Sequence, residues 1–117
     1  EEVSQLTADT LLATVPKNIG GVVFLSGGQT PTQAAFNLSE FMKHGPFPWP
    51  VTYSYSRAIQ DPVLQHFSKQ SDDIDGARVV FKDRLDMVTL ALKGEYAFDK
   101  ETGISAKVEK VTGAQDL

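Results

Sequence analysis

A chain of 117 residues, 41% of them hydrophobic and with a net charge of −4, has the composition of one globular domain or a piece of a larger one. Eleven Lys and Arg without a basic run exclude a nucleic-acid or anionic-membrane surface as the main partner, and the lack of cysteine excludes a disulfide framework and a thiolate nucleophile. His44 and His66 do not have zinc-ligand spacing. The acidic Glu1-Glu2-Val3 start shows no signal peptide, and no apolar run reaches the roughly 18 residues of a membrane span. The expected location is the cytoplasm.

Val3, Leu6, Leu11, Leu12 and Val15 recur at near-helical spacing and predict a helix from Val3 to Val15, closed by Pro16. Gly21-Val22-Val23-Phe24-Leu25 is a short, β-branched apolar run that predicts a strand buried on both faces, ended by Ser26-Gly27-Gly28-Gln29. Thr30-Pro31-Thr32-Gln33 reads as a capping box, with Thr30 as N-cap and the helix starting at Pro31. That helix presents Ala34, Ala35, Leu38, Phe41 and Met42 and stops near His44, before Gly45-Pro46.

After a proline-rich connection, Val51 to Ser56 predicts a second strand with Arg57 at or near its end. Trp49 reads as a packing anchor at its base. Asp61-Pro62 repeats the N-cap and proline start, followed by Val63, Leu64 and Phe67 and a polar loop from Gln70 to Gly76. A last helix is expected from about Arg78 to Lys93, burying Val79, Val80, Phe81, Leu85, Val88, Leu90 and Leu92, with Gly94 as its C′ glycine. Beyond Tyr96 the expectation is a tail with at most a weak hairpin around Lys100 to Gly103. Two strands joined by a helix-sized crossover imply a parallel pair in an α/β fold. Two such βα units cannot close a barrel, so the chain reads as an incomplete domain or as one that must associate.

Glycines in Ser26-Gly27-Gly28, between a strand and a helix start, let backbone amides face a phosphate without an intervening Cβ; the plainer alternative is a tight βα turn. Ser54-Tyr55-Ser56-Arg57 occupies the equivalent place after the second strand. The planar fork of Arg57 matches phosphate oxygens, and Ser54 or Ser56 adds hydroxyl donors; otherwise Arg57 is a surface ion-pair residue. Consecutive parallel strands place such loops side by side. His44 and His66 read as capping or surface residues. Lys17, Lys43 and Lys69 fall in loops or at helix ends, not in a buried strand where desolvation would make a Schiff-base nucleophile. Asp72, Asp73 and Asp75 lack the spacing of a calcium loop.

Val15-Pro16 followed by Gly21-Val22-Val23-Phe24-Leu25-Ser26-Gly27-Gly28-Gln29-Thr30 resembles the Val-Pro, Gly-Val-Phe-Leu-Ser-Gly-Gly-Gln-Ser passage of class I (Schiff-base) fructose-bisphosphate aldolases. The resemblance continues through Ala34-Ala35, Asn37-Leu38 and Trp49 to Ser54-Tyr55-Ser56-Arg57-Ala58-Ile59-Gln60, and more faintly from Arg84 to Tyr96. It implies the C-terminal part of a TIM (β/α)8 barrel, about strands seven and eight with their helices, with residues 1–96 as βα units and 97–117 as a C-terminal tail. Carried over residue by residue, Ser26, Gly27, Gly28, Ser54, Ser56 and Arg57 would bind substrate phosphate. Ser56 stands where the family usually has glycine, although the shorter bacterial enzymes show a similar Ser-Phe-Ser-Arg form.

The family's Schiff-base lysine and acid/base carboxylates belong to strands preceding Glu1, so the resemblance implies no catalytic residue, no metal and no cofactor in this chain. For the whole protein it implies a glycolytic lyase acting on a sugar-phosphate substrate, whose partners are the remainder of the barrel and further copies of itself in a homo-oligomer. The alternative is a non-catalytic phosphate-binding or assembly module. The Gly27-Gly28-Gln29 tripeptide of translation release factors is a third reading, which the acidic balance disfavours.

Overall fold

The computed structural model describes residues 2–101, and in chain order these form α1 (Glu2–Thr14), β1 (Val22–Phe24), α2 (Pro31–Met42), β2 (Val51–Tyr53), α3 (Arg57–Lys69) and α4 (Ile74–Leu92). A short 3-10 turn, Phe98–Lys100, follows. The strands pair in parallel, with Val22 opposite Val51, Val23 opposite Thr52 and Phe24 opposite Tyr53. Hydrogen bonds from Val22 N to Pro50 O and from Ser54 N to Phe24 O extend the pairing at both ends. The α/β class and the parallel pair are therefore as the sequence predicts.

α2 begins where its capping box places it. The Gln33 amide donates to Thr30 Oγ1 at 3.1 Å, and Gln33 Oε1 accepts from the Thr30 amide at 3.0 Å. α4 ends in a Schellman arrangement, with Gly94 at φ 71° and hydrogen bonds from Gly94 N to Ala91 O and from Glu95 N to Leu90 O.

Two helix starts differ from expectation. α3 begins at Arg57 with Ser56 as N-cap, not at Pro62 with Asp61 as N-cap: the Ile59 and Gln60 amides already bond to the Ser56 carbonyl, and Pro62 sits inside the helix, where it removes the bond to the Ala58 carbonyl. α4 begins at Ile74, not Arg78, because the Asp73 carboxylate accepts from the Gly76 amide and starts the helix within the expected loop. Of the weak hairpin, the described part is the 3-10 turn, and Gly103 lies outside the described residues.

Among the described residues, helices cover only one side of the sheet. Val22, Phe24, Val51 and Tyr53 face them, in two adjoining clusters. One is built on Ala8, Phe41 and Trp49; the other on Ala35, Leu38, Ile59, Met87, Val88, Ala91 and Tyr96. Val23 and Leu25, on the alternate face, are 54% and 70% exposed, so β1 is not buried on both faces as its composition suggests. The same absence of a neighbour leaves Val3 and Leu6 of α1 exposed, while Ser4 and Ala8 are buried and Leu11 half-buried. In α4 the buried stripe is Ala77, Val80, Asp83, Arg84, Met87, Val88 and Ala91, and Val79 and Phe81 point outward. The 3.6-residue period, not hydrophobicity alone, selects that stripe.

Candidate phosphate-binding rim

Because β1 and β2 are parallel and in register, the segments that leave them, Ser26–Gln29 and Ser54–Arg57, emerge from the same end of the sheet. Neighbouring strands of a sheet lie about 4.8 Å apart, which sets the scale of this rim.

The first segment is a β-turn closed by the Gln29 amide on the Ser26 carbonyl at 3.0 Å. Gly27, at its first central position, has φ 55°, which L side chains rarely adopt. A Cβ at Gly27 or Gly28 would meet no atom within 4 Å, so both backbones are open to an approaching ligand. Among the described residues neither glycine amide has a protein acceptor. Ser26 differs from them, being buried at 4% exposure. The capping box engages the Thr30 and Gln33 amides, while those of Gly27 and Gly28 stay unengaged among the described residues.

The second segment reaches α3 at once. Arg57 is the first helical residue and is exposed; among the described residues its guanidinium makes no ion pair or hydrogen bond. The plain surface ion pair that would explain a lone arginine is therefore not formed among them. Ser56 is the N-cap of α3, yet its side chain makes no capping bond, so its hydroxyl remains available; Ser54 is exposed beside it. The start of α3 adds the partial positive charge of a helix N-terminus. The Asp61-Pro62 pattern puts the helix start five residues later, which leaves that contribution out of the sequence reading.

Tyr55 lies between Ser54 and Ser56 in the second segment. Its phenol O–H donates to the Ala34 carbonyl at 3.1 Å, tying the second segment to α2. Burial, aided by the nearby Tyr53 phenol, pushes the Tyr55 hydroxyl up to about 12. A cavity of about 330 Å³ lies between α1, β1 and α2, with Gln29, Asn37 and Tyr55 in its wall.

None of the lysines considered as nucleophiles lies in a strand. Lys17 is exposed in a loop, Lys43 is the C-cap of α2 and pairs with Glu40 at 2.9 Å, and Lys69 is exposed at the end of α3. His66 lies 2.9 Å from the Asp73 carboxylate, which caps α4, and His44 lies 3.2 Å from Ser4 Oγ; both serve packing between helices. Among the described residues no cluster of His, Cys, Asp or Glu could hold a metal, and no helix is long and apolar enough to cross a membrane.

A parallel strand pair with each strand followed by a helix places this chain among the α/β proteins. The family described as fructose-bisphosphate aldolase class-I matches residues 1–115, and the chain belongs to that family. It is 42% identical over 96 residues to a fructose-bisphosphate aldolase of Plasmodium falciparum (isolate K1 / Thailand), covering 82% of this chain and 26% of that one. It is 36% identical over 107 residues to the fructose-bisphosphate aldolase of Dictyostelium discoideum, covering 92% and 30%. With fructose-bisphosphate aldolase C of Homo sapiens it is 38% identical over 107 residues, covering 91% and 29%. The solved structure of the Plasmodium falciparum enzyme, in complex with TRAP and a small-molecule inhibitor, matches with a TM-score of 0.77 at 42% identity, over 81% of this chain and 27% of that one. The chain thus spans less than a third of the length of these relatives.

Proposed function

We propose that this chain is the C-terminal part of a class I fructose-bisphosphate aldolase, about strands seven and eight of a TIM (β/α)8 barrel with their helices, and that it holds a phosphate of the sugar bisphosphate. Residues 1–96 are the βα units and 97–117 the C-terminal tail. The observation that carries this reading is Arg57: an exposed guanidinium without a carboxylate partner among the described residues, at a helix start on the same sheet end as the open Gly27-Gly28 turn. A planar fork of donors, a helix N-terminus and free backbone amides are the groups that a phosphate dianion requires. Ser26, Gly27, Gly28, Ser54, Ser56 and Arg57 are the binding residues, with Ser54 and Ser56 as neutral donors.

The exposed Val23 and Leu25 face and the open edges of the sheet suit a barrel that the remainder of the protein completes. In the full-length protein the reaction is reversible retro-aldol cleavage of fructose bisphosphate to dihydroxyacetone phosphate and glyceraldehyde phosphate. A lysine iminium serves as electron sink, and that lysine comes from the part of the barrel outside this chain. This chain supplies no catalytic residue and requires no metal or other cofactor. A cytoplasmic glycolytic lyase, homo-oligomeric when full length, completes the reading.

The test is borohydride trapping of the full-length gene product with dihydroxyacetone phosphate, followed by peptide mapping. One trapped lysine outside the present 117 residues is expected. No adduct on an intact, folded product would leave a non-catalytic phosphate-binding or assembly module that uses the same two loops.

A further inference from the structure

The Ser26–Gln29 turn is held more firmly than a β-turn needs. Besides its backbone bond, Gln29 donates its side-chain Nε2 to the same Ser26 carbonyl at 3.0 Å. Gln29 Oε1 in turn accepts from Asn37 Nδ2 at 2.6 Å, eight residues away on α2. The relay therefore runs from α2 through two side-chain amides to one backbone carbonyl, and it fixes the orientation of both amides.

What that carbonyl controls follows from peptide geometry. In a trans peptide the C=O of one residue and the N–H of the next point in opposite directions. With the Ser26 carbonyl doubly engaged by Gln29, the Gly27 N–H points away from Gln29. Without the relay, only the backbone bond from the Gln29 amide restrains the Ser26 carbonyl, and the two glycines add the least conformational restriction of their own.

The second loop is keyed to the same helix. Tyr55 donates to the carbonyl of Ala34, three residues before Asn37 and so on the same face of α2. The capping box holds the start of α2 in turn. Both halves of the rim are thus referenced to one rigid element, the first two turns of α2.

We propose that Asn37 and Gln29 are positioning residues for anion binding at the rim: the Asn37 amide holds Gln29 on the Ser26 carbonyl and thereby aims the Gly27 amide at the ligand phosphate. The inference rests on the phosphate reading above and deepens it. Asn37 touches no ligand. Its role is exerted through Gln29.

The experiment uses the full-length protein and inorganic phosphate as probe, with dissociation constants from calorimetry, alongside KM and kcat for fructose bisphosphate. Three neutral or charge-removing variants are compared: Asn37→Leu and Gln29→Met, each close in size to the original, and Arg57→Ala. Asn37 is exposed, so Asn37→Leu folds, which thermal unfolding without phosphate verifies. Loss of one aligned hydrogen bond predicts phosphate binding weaker by about five-fold in Asn37→Leu and Gln29→Met, with KM raised by a similar factor and kcat within about two-fold. A merely structural role would instead reduce the folded fraction, lowering kcat and the unfolding temperature while leaving KM in place, and that result overturns the proposal. Weak phosphate binding in Arg57→Ala together with unchanged binding in Asn37→Leu also overturns it, while leaving the phosphate site standing. Unchanged binding in Arg57→Ala removes the site and the proposal with it.

Discussion

Tyr55 reaches across from the segment after β2 to donate its hydroxyl to the carbonyl of Ala34 in the first turn of α2, 21 residues earlier in the chain. Burial of that phenol, with Tyr53 beside it, raises its ionisation to about 12 from the usual 10.0. A folded-state value above the unfolded one means that Tyr55 stabilises the fold fully below pH 10.0 and loses that contribution as the pH rises through about 12. Tyr55→Phe is expected to lower stability by about 1 kcal/mol at neutral pH, the net value of one hydrogen bond. The difference from wild type should shrink above pH 10.0, as thermal unfolding across that range will show.

Arg84 has no exposed surface, and its Nη1 donates to Glu101 Oε2 at 2.6 Å, while Glu101 Oε1 accepts from Tyr96 O–H at 2.7 Å. The Asp83 carboxylate lies 3.9 Å from the same Nη1, and Nε and Nη2 of Arg84 are buried without a hydrogen-bond partner among the described residues. The residue following the 3-10 turn is thereby pinned to α4. Glu101→Gln leaves the guanidinium short of its main counter-charge and is expected to destabilise the protein by about 3 kcal/mol; replacing both, with Arg84→Met and Glu101→Gln, should recover part of the loss. Denaturant midpoints of the three proteins measure this.

At the α3–α4 corner, Asp73 accepts from the Gly76 amide at 3.0 Å and from His66 Nε2–H at 2.9 Å. A Cβ at position 76 would collide with the Asp73 carboxylate and the His66 ring. Gly76→Ala should therefore lose the cap, at about 1–2 kcal/mol, in spite of alanine's better helix propensity of about 1 kcal/mol. The Gly76 amide first, and then His66, hold the Asp73 carboxyl below its ordinary range. A depressed folded-state value contributes stability above the ordinary carboxylate range and loses it as the pH falls through the depressed value. Asp73→Ala should flatten the acid limb of the stability profile.

How far the sequence carries depends on the range of the interaction. The Thr30–Gln33 capping box and the Gly94 terminus are local chemistry, and both stand where the residue pattern predicts them. The parallel pair follows from a crossover too long for a hairpin. Asp61-Pro62 imitates a helix start, but the backbone had already turned at Ser56, because the chain leaves β2 straight into α3. The exposure of Val23, Leu25, Val3 and Leu6 is not legible in the sequence, since hydrophobicity marks which residues want cover and not whether cover is present. The two loops that carry the six proposed binding residues leave the same end of the sheet, as a parallel pair requires. The bonds that brace them, Tyr55 to Ala34 and Asn37 to Gln29, join separate elements and leave no periodic trace.

The central claim is that Arg57 binds a phosphate at the rim shared by the two loops, and phosphate titration of the full-length protein by calorimetry, comparing wild type with Arg57→Ala, tests it most directly. Removing a charge-assisted contact predicts a loss of affinity on the order of ten- to a hundredfold. The unfolding temperature without phosphate should not change, because Arg57 is exposed and makes no ion pair or hydrogen bond among the described residues. Equal affinities in the two proteins would contradict the account and leave Arg57 as a solvent-facing helix-start residue.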